Sequence, residues 1–327
     1  MSDNETTPLV VALVNNMPDP AVQSTDRQFR ELLHDAAAAR PVSLRIFSRQ
    51  SPAREGVVQD YVRQHHAPLT ELWGSAPDAL IVTGTEPKSA DTTEEPSWPI
   101  LTRLVDWASE RALPTVWSCL AAHAAVRYLD GVERQRRPAK LSGVFESVAR
   151  EPHPLPGEGA GRWLTPHSRH NELSGEKLLA RGYRLLGCSP QAGAEMFVKE
   201  GRSLFLFLQG HPEYDTCALL REYRRDVGRF LCGQHDAYPE LPHGYFDNAA
   251  TEVLSAFRER AMRERTPATL LAFPMAAARE NLRNTWRPAA IRLYRNWLAH
   301  VAAPKMGRPA ELAADAPAAV VLSAAHG

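Results

Sequence analysis

Two segments of the sequence combine residue types that can perform nucleophilic catalysis. Cys119 lies in SCLAAHAAV, where a short strand is predicted to end and a helix to begin. A tight turn there lifts the thiol above the carboxyl edge of a sheet and directs helix N–H groups at it, which favours a thiolate. His211 and Glu213 lie in QGHPEYD, directly after the apolar run SLFLFL, and a carboxylate can fix the tautomer of a neighbouring imidazole. Together they predict a Cys-His-Glu triad, although a buried structural cysteine and a solvated loop histidine are the alternatives.

The elements around these residues predict an α/β fold. Short apolar runs alternate with segments of helical periodicity over the first 130 residues. Strands are predicted at 9–14, 42–47, 79–84 and 115–118, and helices at 25–39, around 98–107 and after Cys119. Repeated β-α units imply a parallel sheet that is covered by helices on both faces.

The rest of the chain changes character twice. Runs divided by Pro and Gly from about 143 to 207 predict strands that extend or flank the sheet. Helical periodicity returns at 216–231, over most of 248–287 and at 291–301. We expect a single domain over 1–306, with 249–280 as a helical insertion, and a disordered tail over 307–327.

Composition excludes several classes of partner. The 38 basic residues balance 38 acidic ones, so the chain has no long-range attraction for nucleic acid or an anionic membrane. Four cysteines without a C-x-x-C pair fit a reducing cytosol better than a disulfide framework or a zinc finger. Because there is neither a basic, apolar leader nor a run long enough to span a membrane, we expect a cytoplasmic protein.

The chain resembles the homoserine O-acyltransferases of the homoserine O-succinyltransferase family, which belong to the flavodoxin-like, class I glutamine-amidotransferase-like superfamily. The resemblance covers almost the whole chain. It is carried by the Cys119 junction and by VALVNNMPD, ALIVTG, KLSGVFE, TPHSRHNEL, GHPEYD, REYRRD and NWL. It implies that Cys119 carries the acyl group as a thioester, that His211 accepts the proton and that Glu213 is its partner.

The same resemblance assigns substrate contacts to Lys140, Ser168 and Arg225. A guanidinium can bind the carboxylate of an amino-acid acceptor with two hydrogen bonds, which suits Arg225, and the hydroxyl of Ser168 can both donate and accept. Lys140 follows RQRRPA, a stretch that could attract the phosphates of coenzyme A or be a solvated loop. HSRH does not have the ligand spacing of a metal site, and we expect its two histidines to be structural or to lie at the rim.

The sequence departs from the family pattern around the nucleophile. Most members have Cys-Trp-Gly-Ala-Gln, whereas this chain has Cys119-Leu-Ala-Ala-His123. We expect the Leu120 N–H to be one oxyanion donor and the turn at Gly84 and Thr85 to supply the second. That turn reads Gly-Thr-Glu-Pro-Lys, where members have Gly-Ala-Pro.

Lys88 lies at the family position that helps to choose the acyl donor, where glutamate is associated with acetyl and glycine with succinyl. A cation there would attract the distal carboxylate of a succinyl group. This favours succinyl-CoA over acetyl-CoA as cosubstrate, unless Lys88 is an exposed lysine without a role.

These observations predict ping-pong transfer of an acyl group from acyl-CoA to the hydroxyl of L-homoserine, without a metal or a tightly bound cofactor. Serine or another hydroxyl amino acid is an alternative acceptor. A glutaminase or related cysteine hydrolase shares the Cys and His-Pro-Glu arrangement, and a binding protein without catalysis is the third possibility. A homodimer is implied by the resemblance alone.

Overall fold

The computed structural model describes residues 7–37, 40–49, 56–157, 159–303 and 320–322. Its first half consists of β-α units in chain order. The elements are β1 (Leu9–Val14), α1 (Asp19–Ala36), β2 (Val42–Ser48), α2 (Gly56–His65), β3 (Ala67–Pro68), α3 (Leu69–Leu72), β4 (Ala79–Val82), α4 (Trp98–Glu110), β5 (Thr115–Ser118) and α5 (Leu120–Asp130), with a 3-10 helix at Thr92–Glu94.

The middle of the chain is mostly strand and the end is mostly helix. It comprises β6 (Gln135–Ala149), β7 (Arg162–Glu172), α6 (Gly175–Ala180), β8 (Arg184–Ser189), β9 (Gly193–Glu200), β10 (Leu204–Leu208), α7 (Ala218–Leu231), α8 (Asn248–Arg263), α9 (Met275–Arg279), α10 (Arg287–Ala302) and β11 (Val320–Leu322), with a 3-10 helix at Pro267–Ala272.

The described strands form one sheet of 11 strands in the order β11-β2-β1-β4-β5-β10-β9-β8-β6-β7, with β3 paired to β2. The strands β2, β1, β4, β5 and β10 run parallel, and the sheet continues antiparallel from β9 onward. Because β5 and β10 are parallel neighbours, with Leu208 opposite Ser118, their carboxyl ends meet at one edge. The fold therefore brings Cys119 and the loop after β10 together.

Apolar side chains fill both faces of the sheet. On one face α1 and α10 pack against alternate residues of β1, including Val11 and Leu13. On the other, Ala12 and Val14 pack with α4 and α5. Both faces are buried, so the central strands are almost continuously apolar, as a parallel sheet requires. A third cluster joins α7 to α8 and the segment before α10.

Some predicted boundaries differ from the structure. Helix α1 begins at Asp19 rather than at residue 25, because Pro18 has an extended conformation and Pro20 fits the first turn. The segment 249–280 is helical but divided at Pro267 and Pro274, since proline cannot continue a helix. That it is an insertion, and that 1–306 is one domain, remain predictions.

Within the tail, the backbone of Val320–Leu322 pairs antiparallel with β2. This pairing supplies hydrogen-bond partners for the open edge of β2. The expected disorder of 307–327 stays a prediction. The other residues of the tail lie outside the described ranges. Over those ranges, none of the helices has the length and hydropathy needed to cross a bilayer.

Glu195 on β9 gives the core a pH-dependent contribution to stability. Burial raises the pKa of this carboxyl from 4.5 to about 7, although Trp163 and Thr165 donate hydrogen bonds to it. Since the folded pKa exceeds the unfolded one, its stabilising contribution is complete below about pH 4.5 and is lost as pH rises through about 7. We expect the free energy of unfolding to fall by about 2 kcal/mol more between pH 5 and 8 in the wild type than in Glu195→Gln. Denaturant titrations at both pH values measure this, and equal falls would contradict it.

Candidate active site

Cys119 occupies a strained turn between β5 and α5. Its backbone has φ 51° and ψ −115°, a conformation that costs a non-glycine residue energy and that is typical of nucleophile elbows. The Cys119 N–H donates to the carbonyl oxygen of Leu208 over 2.7 Å, which ties the turn to β10. The thiol is thus fixed at the carboxyl edge of the sheet and at the N-terminus of α5.

Two backbone N–H groups beside the thiol have no acceptor within the described ranges. One belongs to Leu120, the first residue of α5, and the other to Thr85, in the turn after β4. Both residues line the same cavity as Cys119. Gly84 allows the two segments to approach, because a Cβ at this position would lie 2.7 Å from the Leu120 nitrogen. This placement supports the predicted oxyanion hole, which stays a prediction.

His211 and Glu213 form a hydrogen-bonded pair on the loop between β10 and α7. The distance from His211 Nδ1 to Glu213 Oε1 is 2.8 Å, and both side chains are almost fully buried. The His211 ring stacks on Tyr214, with 4.3 Å between centroids. Since Nδ1 is bound to Glu213, Nε2 is the nitrogen left for the hydrogen bond between His211 and Cys119. The three side chains therefore have the connectivity of a catalytic triad.

The charges around His211 favour its imidazolium form. Burial by itself lowers the pKa of His211, but the carboxylate of Glu213 and the charge of Cys119 raise it well above its usual value. The resting site consequently favours a protonated His211.

A second group of polar side chains lies on α7, β6 and β7. Lys140 Nζ is 2.6 Å from Asp226 Oδ2 and 3.5 Å from Glu222 Oε2. Ser168 donates to Glu222, and Arg225 Nε donates to Asp226 Oδ1 over 3.0 Å. The Arg225 side chain is 40% exposed. Burial lowers its pKa, but attraction to Glu222 and Asp226 outweighs burial and raises the pKa. This group can bind a zwitterion, since it offers both carboxylates and cations.

One cavity of about 340 Å³ joins the two groups of residues. Eight of the nine side chains or N–H groups predicted from the sequence line it. These are Cys119, Leu120, Thr85, His211, Glu213, Lys140, Ser168 and Arg225. The catalytic and binding assignments of these residues remain predictions, but their placement together supports them.

Lys88 does not line this cavity, and its assignment to the acyl pocket stays a prediction. Its backbone N–H donates to both carboxylate oxygens of the buried Glu95, over 3.0 and 3.1 Å. Glu95 is held in turn by Arg134, 2.7 Å away. This ion pair fixes the turn so that Pro87 lines the cavity while Lys88 is exposed.

Sequence reasoning missed Glu222, Tyr214 and Arg169, which also line the cavity. The Tyr214 hydroxyl donates to Glu222 over 2.5 Å. Tyr214 belongs to GHPEYD and Glu222 to REYRRD, two of the motifs that carry the family resemblance. Of the two HSRH histidines, His167 is buried and His170 lies at the exposed rim of the cavity. Among the described residues, no three His, Cys, Asp or Glu side chains are arranged to hold a metal ion.

Comparisons with known proteins agree with this architecture. A solved structure of a glutamine amido transferase from Methylobacillus flagellatus superimposes with a TM-score of 0.50 at 15% identity, covering 95% of this chain and 100% of that one. It confirms the glutamine-amidotransferase-like α/β fold.

The family follows from sequence similarity. The homoserine O-succinyltransferase of Rhodopseudomonas palustris is 43% identical over 292 residues, covering 89% of this chain and 88% of that protein. The one from Methylorubrum extorquens is 44% identical over 293 residues, covering 90% and 87%. A family model described as homoserine O-succinyltransferase matches residues 1–306. The chain belongs to the homoserine O-succinyltransferase family.

Proposed function

We propose that the protein transfers a succinyl group from succinyl-CoA to the side-chain hydroxyl of L-homoserine through a thioester on Cys119. The observation that carries this proposal is the placement of Cys119, the His211–Glu213 pair, two unpaired N–H groups and a zwitterion-binding group around one cavity. The names of the relatives in the comparisons support the choice of both substrates.

The first half-reaction acylates the enzyme. The Cys119 thiolate attacks the thioester carbonyl, and the Leu120 and Thr85 N–H groups donate to the oxygen that becomes negative. The carbon–sulfur bond to coenzyme A then breaks, and the leaving sulfur takes the proton from the His211 imidazolium. Exchange of one thioester for another is nearly isoenergetic, so the protein chiefly has to orient the reactants.

The second half-reaction uses the same groups in reverse. Neutral His211 removes the proton from the homoserine hydroxyl as its oxygen attacks the thioester, and Cys119 leaves as a thiolate. The Glu222 carboxylate can bind the ammonium of the acceptor, and the Arg225 guanidinium its carboxylate. This restores the thiolate–imidazolium pair.

The choice of donor depends on the charge of the cavity wall. With Lys88 outside, the cationic side chains that line it beside Arg225 are Lys140, Arg169, Arg221 and Arg229. Arg229 binds both carboxylate oxygens of Glu86, which belongs to the turn that supplies Thr85. A distal carboxylate is more compatible with these cations than an acetyl methyl group, so we keep succinyl-CoA as the donor.

Intact-protein mass spectrometry tests both half-reactions. After mixing with succinyl-CoA, we expect one succinyl adduct, absent in Cys119→Ala, and none or a slower one with acetyl-CoA. L-Homoserine should discharge the adduct faster than L-serine. Faster acylation by acetyl-CoA than by succinyl-CoA would show that acetyl-CoA is the donor. Faster discharge by L-serine than by L-homoserine would show that serine is the acceptor. Absence of any adduct, or retention of it in Cys119→Ala, would overturn the mechanism.

A further inference from the structure

Arg229 and Glu86 form an ion pair at the wall of the cavity, and none of the catalytic steps uses it. Arg229 Nη1 is 2.5 Å from Glu86 Oε1, and Arg229 Nη2 is 2.8 Å from Glu86 Oε2. Both side chains line the cavity that contains Cys119. Glu86 follows Thr85 in the turn after β4, and Arg229 lies in the last turn of α7. The pair therefore joins the turn of the predicted oxyanion hole to the helix that carries the proposed acceptor site.

The other cationic side chains that line the cavity have partners elsewhere. Lys140 and Arg225 belong to the group that is proposed to bind homoserine. Arg169 is buried and donates to two backbone carbonyl oxygens. Arg221 donates over 2.8 Å to a carboxylate on the loop between β10 and α7. Arg229, in contrast, offers both Nη atoms to one carboxylate of the turn after β4, which is the arrangement in which a guanidinium binds a carboxylate most specifically.

The partners of this ion pair can separate at low cost. The hydrogen bond from Arg229 lowers the pKa of Glu86, so both side chains are charged at neutral pH. The Glu86 side chain is 47% exposed and that of Arg229 is 26% exposed. Ion pairs this close to solvent add little to stability, because water solvates the separated charges nearly as well. Another carboxylate can therefore take the place of Glu86 on Arg229.

The Glu86 side chain also indicates which carboxylates can reach Arg229 from this turn. Two methylene groups separate its Cα from its carboxylate, and two methylene groups separate the thioester carbonyl of a succinyl group from its distal carboxylate. The Cα atoms of Thr85 and Glu86 are about 3.8 Å apart, as across any trans peptide. A succinyl carbonyl that accepts the Thr85 N–H consequently begins near the start of the Glu86 side chain and has the same reach.

We propose that Arg229 binds the distal carboxylate of the succinyl group and that this carboxylate displaces Glu86 from the guanidinium. The inference rests on the proposed function, because it assigns the acyl end of the same cavity. An acyl group that ends in a methyl has nothing to exchange with Glu86 and leaves the ion pair closed. Arg229 thereby selects a dicarboxylic acyl group.

Acylation by two matched donors tests this assignment. Succinyl-CoA and butyryl-CoA both carry four-carbon acyl chains, which end in a carboxylate and a methyl group respectively. The rate of Cys119 adduct formation is measured with each donor at subsaturating concentration by intact-protein mass spectrometry. We expect the wild type to favour succinyl-CoA. In Arg229→Gln the ratio of the two rates should fall about 10-fold or more, since the carboxylate loses its charged hydrogen-bond donor.

The variant Glu86→Gln should shift the same ratio in the opposite direction. It removes the carboxylate that competes for Arg229, so the preference for succinyl-CoA should rise about threefold, in line with the small contribution of an exposed ion pair. Arg224→Gln is the matched control. Arg224 is an exposed arginine of α7 that does not line the cavity, and its variant should keep the wild-type ratio.

Opposite shifts in the two variants distinguish binding of the acyl group from a purely structural ion pair. If the pair only holds the turn, both variants should slow acylation by both donors equally. An unchanged ratio in Arg229→Gln, or a ratio that does not rise in Glu86→Gln, would overturn the proposal, and the second result decides alone if Arg229→Gln does not fold. Either result in a protein that still forms the succinyl adduct would leave the proposed function intact, whereas a wild type without any adduct would remove both.

Discussion

Replacement of His211 with asparagine is expected to lower the rate of transfer to homoserine by about 10³-fold, within the range for loss of a general base. The reason is geometric: Nδ1 is held by Glu213 at 2.8 Å, which leaves Nε2 as the base beside Cys119. Asparagine has no group that accepts a proton at neutral pH. Intact-protein mass spectrometry of quenched reactions should show that the acyl adduct, once formed, persists in the presence of homoserine.

The pH dependence of the two half-reactions distinguishes this role from a structural one. Part of the rise in the pKa of His211 comes from the charge of Cys119, and acylation removes that charge. The first half-reaction needs the proton of the His211 imidazolium, and the raised pKa of His211 keeps that proton in place at mildly acidic pH. The second needs neutral His211, so its rate should rise as pH increases through the lowered pKa of the acyl-enzyme. Discharge of the His211→Asn adduct at the wild-type rate would show that another group is the base.

The position of the triad could be predicted because it depends on local rules. A short apolar run followed by polar residues marks the carboxyl end of a strand, and parallel neighbours present these ends at the same edge. Cys119 and His211 follow β5 and β10, which proved to be adjacent. The helix after Cys119 was equally visible in its apolar periodicity.

Lys88 and Arg169 could not be predicted because long-range contacts determine their positions. The exposure of Lys88 depends on Glu95, which binds the Lys88 backbone, and on Arg134, which binds Glu95 and lies 39 residues after it in the chain. The burial of Arg169 depends on the Ala192 carbonyl and on the packing of β7 at the catalytic loop. A polar motif such as HSRH does not indicate which of its side chains faces the interior, and arginine is usually exposed.

Replacement of Gly84 with alanine is expected to lower kcat/KM by about 10²-fold, comparable to loss of one oxyanion-hole donor. Gly84 requires no unusual φ, but an added Cβ would lie 2.7 Å from the Leu120 nitrogen and 3.0 Å from the Leu120 Cβ. The turn after β4 would have to move away from α5, and the Thr85 and Leu120 N–H groups would no longer converge. The polar side chains proposed to bind homoserine lie on β6, β7 and α7, so their contacts with the amino-acid substrate should persist.

A matched control separates this effect from the general cost of adding a methyl group. Gly74 is exposed, and an added Cβ there meets no atom within 4 Å, so Gly74→Ala should have wild-type rates. Kinetics of adduct formation with succinyl-CoA, beside thermal denaturation of both variants, measure the difference. Wild-type acylation in a folded Gly84→Ala protein would show that the turn after β4 does not supply an oxyanion donor. Slow acylation with an unchanged melting temperature would instead support the proposal that this turn and the N-terminus of α5 each supply one N–H donor. Electrostatic stabilisation of the tetrahedral intermediate depends on both donors.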